Sequence, residues 1–163
     1  MGAELARGCD EQAAGLKRTR EMLNRLVLLL ESKGWDRRDI YFLGFSQGGT
    51  VALDLALEGG GSAFGGVVSI SGTLFDRHVE ARAVGGAGRG GASATPALLT
   101  LGSRDARVKQ SRALSGWARL KEFTPEWVVR SFPRGHDMIN SKEEMPVVEI
   151  NFVGFHRESA REH

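Results

Sequence analysis

The sequence predicts an α/β fold, a mainly parallel sheet with helices on both faces. Two observations carry that expectation. Short apolar runs alternate four times with segments of helical spacing, the pattern of βα units. The first run, Ile40–Phe45, is apolar throughout, which suits a strand covered on both faces. A length of 163 residues suits one compact domain, residues 1–163, and not two of ordinary size.

Each element has its own signature. Between Glu11 and Lys33, Leu16, Met22, Leu23, Leu26, Val27 and Leu30 recur at helical spacing, and Gly34 is placed to cap the helix. Ile40–Phe45 is an apolar run of β-formers and predicts the first strand. Gln47–Leu57 returns to helix and ends in the glycines of EGGGSAFGG. Gly66–Ser71 predicts a second buried strand, and Pro96–Gly102 a third. Between them Gly72–Pro96, rich in Gly, Ala and Ser, reads as a mobile surface loop. Lys109–Glu122 predicts a helix with Ala113, Leu114, Trp117 and Leu120 turned inward. Glu126–Phe132 gives the fourth strand. A last helix is expected from about Pro146, tolerated in a first turn, burying Val147, Ile150, Val153 and Phe155. No internal repeat is found.

Composition narrows the function classes. The chain is 41% hydrophobic and 26% charged, the balance of a soluble globular protein. A net charge of +2 is spread through mixed segments such as LKRTRE and RLKEF, so no nucleic-acid partner is expected. The single cysteine, Cys9, excludes an internal disulfide and fits the cytosol. No long uncharged apolar run predicts stable membrane insertion, and the first residues lack the apolar segment of a signal peptide. Gly2 misses the Ser or Thr expected downstream of a myristoylation site.

The chemistry concentrates in YFLGFSQGG. Gly44-Phe45-Ser46-Gln47-Gly48 fits G-x-S-x-G, with a strand before and a helix after. Turning from strand to helix within so few residues strains the backbone at the serine and lifts its hydroxyl clear of the sheet. The amide of Gln47, at the helix start, is then available to a developing oxyanion. Such a serine needs a base, and the base an orienting carboxylate. His136, in FPRGHDMIN, directly follows the fourth strand, unlike His78, His156 and His163. Asp105 follows the third strand, Asp137 adjoins the histidine and Asp76 follows the second strand. Of these Asp105 has the expected address. The Gly86–Gly91 stretch satisfies G-x-G-x-x-G by letter but lies in a loop, and GFSQGGT lacks the lysine of a phosphate loop. No cluster has metal-ligand spacing, so no metal or cofactor is expected.

GFSQGG, PALLTLGSRDARV and FPRGHDMIN together resemble the acyl-protein thioesterase and carboxylesterase family of the α/β-hydrolase fold, over about residues 11–156. The resemblance implies Ser46 as nucleophile, Asp105 as orienting acid, His136 as general base and Gln47 as an oxyanion donor. It implies an acyl ester or thioester substrate, with a catalytically impaired binding or regulatory homologue as the alternative. Two departures stand out. Leu101 replaces the histidine of the family's His-Gly-x-x-Asp segment, and no His-Gly-x-Gly loop or earlier strand precedes residue 11. An N-terminally truncated domain is therefore expected, with self-association through the exposed sheet edge at Ile40–Phe45.

Overall fold

The computed structural model describes residues 2–58, 63–74, 93–124, 126–139, 142–149 and 151. Most of the Gly72–Pro96 loop, with the Gly86–Gly91 stretch, Asp76 and His78, lies outside them. So do Ile150, Val153, Phe155, His156 and His163. The chain divides into two compact units, Met1–Asp36 and Arg37–His163.

The first unit is the helix α1, Gly2–Ser32. It begins well before Glu11 because Ala, Glu, Leu and Arg in its first turns are all good helix formers. Its end is the predicted one. Gly34 takes a φ of +92°, and the N–H groups of Gly34 and Trp35 return to the carbonyls of Glu31 and Leu30.

The second unit is a parallel four-stranded sheet in the order β1-β2-β3-β4, with strands Tyr41–Phe45, Gly66–Ile70, Ala97–Gly102 and Trp127–Phe132. Each strand pairs in parallel with its sequence neighbour, as consecutive βα units require. β2 and β3 are buried along their whole length, whereas β1 and β4 are only partly so. That difference matches their inner and outer places in the sheet.

Alternate residues of each strand feed two cores. On one face Val67, Ala97, Leu99 and Trp127 pack with Ala52, Leu53, Ala56 and Leu57 of α2 (Gln47–Glu58) and with Leu120. On the other, Val68, Ile70 and Leu98 pack with Val148, Val147 and Ile139, the valines coming from a short helix at 144–149. Pro146 falls in that helix's first turn, where its missing N–H has no helical partner to lose. The helix predicted at Lys109–Glu122 is shorter: α3 spans Gln110–Ala118, and Lys121–Phe123 forms a 3₁₀ turn. Ala113 and Leu120 turn inward as expected and Trp117 is partly buried, but Leu114 is exposed at the rim.

Candidate active site

The end of β1 and the start of α2 leave one residue for the turn, Ser46, which takes a φ of +51°. A side chain in this left-handed region is strained, and the surroundings hold it there. Its N–H donates to the carbonyl of Ile70 at 2.8 Å, and its carbonyl accepts the N–H of Thr50 at 3.1 Å. Strand and helix approach so closely that a Cβ at Gly44 would strike the backbone of Gly48 and come within 2.6 Å of the Gly49 nitrogen. A Cβ at Gly49 would lie 2.7 Å from the Ser69 hydroxyl. Gly44 and Gly49 therefore serve close contact, while the positive φ of the turn falls on Ser46.

Gln47 is the first residue of α2, so its N–H has no acceptor inside the helix. That amide lies at the positive end of the helix dipole, directly after the serine.

His136 lies beyond the end of β4 and Asp105 beyond the end of β3. The fold brings both to Ser46. His136 Nε2 is 2.8 Å from Ser46 Oγ, and His136 Nδ1 is 2.8 Å from Asp105 Oδ2. Phe45 packs against the imidazole, ring centres 5.0 Å apart. The Asp105 side chain is 1% exposed and that of His136 13%, so the acid is screened while the base reaches the surface. Burial acts to raise the Asp105 carboxyl. The Val108 N–H, the His136 ring, the Arg107 N–H and the imidazole charge outweigh it and hold the carboxyl below its ordinary range. Both amides donate to Oδ1 at 2.8 Å, which leaves Oδ2 to the histidine.

The acid and histidine loops are fastened together. A Cβ at Gly102 would come within 2.6 Å of the carbonyls of Arg134 and Gly135. Ser103 N–H donates to Phe132 O at 2.9 Å, Arg104 N–H to Arg134 O at 3.1 Å, and the Arg104 guanidinium to Pro133 O. With Leu101 in place of histidine, the acid loop still delivers Asp105 to the imidazole. Asp137, the rival acid, has its backbone carbonyl bound by Arg134, and its carboxylate lies beside Gly135. Among the described residues no group of three or more His, Cys, Asp or Glu could hold a metal ion. Among them, too, no helix is long and apolar enough to cross a membrane.

A sequence profile described as Phospholipase/Carboxylesterase matches residues 3–149. The chain belongs to the phospholipase/carboxylesterase family. Its fold is shared with SOBER1 from Arabidopsis thaliana, at a TM-score of 0.70 and 19% identity, over 86% of this chain and 64% of that one. A phospholipase/carboxylesterase from Dyadobacter fermentans matches at 0.67 and 22%, over 85% and 63% of the two chains. Acyl-protein thioesterase 2 from Zea mays matches at 0.60 and 22%, over 72% and 56%. At these identities the likeness carries the fold, here an α/β-hydrolase-like parallel sheet with helices. This family member thus spans less than two thirds of the SOBER1 chain. No curated protein matches it significantly.

The residues that reading the sequence missed are Arg134, Glu144 and Ser71. Arg134 is buried two positions before the histidine and pairs with the fully buried Glu144. Ser71 also has a φ of +51° and accepts from Arg134 at 2.7 Å. Only the neighbourhood of Arg134 to Gly-His offered a signal; neither partner announces itself.

Proposed function

We propose that this chain hydrolyses carboxylic esters or acyl thioesters through Ser46, His136 and Asp105. The observation that carries the reading is the unbroken line from Asp105 Oδ2 to His136 Nδ1 and from Nε2 to Ser46 Oγ, 2.8 Å at each step. His136 Nε2 takes the hydroxyl proton as Ser46 Oγ attacks the acyl carbon. The oxyanion that forms accepts a hydrogen bond from the Gln47 N–H. The tetrahedral intermediate then expels an alcohol or thiol, which receives the proton from Nε2, and leaves the acyl group on Ser46. Water, deprotonated by the same nitrogen, releases the carboxylic acid and restores the serine. Asp105 fixes the tautomer with the proton on Nδ1 and stabilises the imidazolium.

Two further points support the reading. The strained φ of Ser46 has no stabilising purpose of its own, and strain of this kind collects at working sites. The family and its solved relatives include esterases and an acyl-protein thioesterase. One cysteine in the chain makes the cytosol the proposed setting.

The test is labelling by a fluorophosphonate, which reacts only with an activated serine. The chain should be labelled once, at Ser46, and Ser46→Ala should be silent. Equal labelling of Ser46→Ala would remove the assignment, and an unlabelled native chain would favour the binding or regulatory homologue.

A further inference from the structure

Arg134 is a cation enclosed in protein: its side chain is 7% exposed, and that of Glu144 is 0%. The two meet as a fork, Nε to Oε2 at 2.7 Å and Nη2 to Oε1 at 3.0 Å. A buried pair of this kind gains little stability over apolar residues of the same volume, so stability alone does not account for it. The remaining donors do. Nη1 donates to Ser71 Oγ at 2.7 Å and to the carbonyls of Gly135 and Asp137 at 3.3 and 3.2 Å. Nη2 also donates to Thr100, at 3.0 Å to the hydroxyl and 3.3 Å to the carbonyl.

Gly135 and Asp137 stand on either side of His136. The guanidinium therefore grips the backbone at both flanks of the imidazole and ties it to Ser71, just past β2, and to Thr100 in β3. Ser71 follows Ile70, whose carbonyl holds the N–H of Ser46 at 2.8 Å. A run of short contacts thus links the backbone of the histidine to the backbone of the serine, with a planar five-donor group at its centre. Lysine, whose three N–H donors radiate from one nitrogen on a flexible stem, could not span these partners.

We propose that Arg134, held in place by Glu144, is a positioning residue that sets His136 against Ser46. The proposal rests on the reading of Ser46 as the residue that is acylated. Misplacing a reacting group by about 1 Å costs up to about 100-fold in rate. Arg134 acts through the loop and touches no substrate.

The experiment compares the native chain with R134M/E144L, which removes both charges and leaves neither buried alone, and with R134K. The double variant is expected to keep its circular dichroism. Its Ser46 should react with the fluorophosphonate about 10- to 100-fold more slowly, the loss lying in the maximal rate and not in probe affinity. The low-field proton resonance of the His136–Asp105 hydrogen bond should broaden or vanish. R134K should fall between the two. A folded double variant with native labelling and a native resonance overturns the proposal, whatever its melting temperature. Should the double variant not fold, R134K decides by the same two readings. An unlabelled native chain would defeat the reading of Ser46, while the resonance would still report whether Arg134 orders the histidine.

Discussion

Asp105→Asn isolates one oxygen. In the native site Oδ1 accepts the N–H groups of Arg107 and Val108, and Oδ2 faces His136 Nδ1. The asparagine can orient in two ways. With its amide nitrogen toward the two backbone donors it forfeits both part-buried hydrogen bonds, at about 0.5–1.5 kcal/mol each, and sets N–H against N–H. It should therefore keep its oxygen there and turn its NH₂ to the histidine. A donor at that place forces Nδ1 to accept, so the ring proton moves to Nε2, 2.8 Å from Ser46 Oγ. A nitrogen that already carries a proton cannot take the serine's. The expected loss in kcat is about four orders of magnitude, with the fold intact, because the loop keeps both anchors. The assay is turnover of an activated ester together with the labelling rate of Ser46, and circular dichroism on the same samples. Asp137→Asn and Asp76→Asn should leave most of the activity. Comparable losses in all three folded variants, or an Asp105→Asn within tenfold of native, would refute the reasoning.

Three other outcomes are expected. Because the Asp105 carboxyl is held below its ordinary range when folded, its contribution to stability is complete above the unfolded value near 3.9 and fades as pH falls through the lower folded one. Melting curves of native and Asp105→Asn should thus differ at neutral pH and converge in strong acid, and a gap that persists unchanged there would contradict the assignment. Gly44→Ala should cost about 1–3 kcal/mol in urea unfolding, since its Cβ meets the Gly48 backbone, while Gly48→Ala, with open space around it, should cost little; equal effects would show that contact is not the constraint. β1 has a sheet neighbour on one side among the described residues, and Leu43 is 54% exposed. Concentration-dependent association seen by light scattering should weaken in Leu43→Lys, and a monomer at all concentrations would dismiss self-pairing through this strand.

What the sequence disclosed follows from how locally each feature is encoded. β2 and β3 were legible because a strand buried on both faces is mostly apolar, and the partly buried β1 and β4 because short runs of β-formers stand between segments of helical spacing. Ser46 was legible because a strand that turns to a helix in one residue needs small neighbours at fixed offsets. The addresses of Asp105 and His136 came from the same rule, that side chains at the carboxyl ends of parallel strands converge. The short α3 was not legible. Leu114 fits the apolar spacing, and nothing local reveals that the helix ends at Ala118. Arg134 and Glu144 mark the deeper limit. In Lys142-Glu143-Glu144 the two carboxylates are indistinguishable by composition, yet only Glu144 is fully buried. What selects it is a guanidinium ten residues earlier, itself oriented by a serine just past β2 and a threonine in β3. Such a pair is defined by three-dimensional closure, so a linear reading meets only a charged stretch and calls it solvated. Ser46, Asp105 and His136 lie just past strand ends and take their addresses from the strands. Arg134 lies in a loop and Glu144 at the start of the short helix, and no fixed spacing relates them, so their pairing emerges only once the sheet has brought its strand ends together.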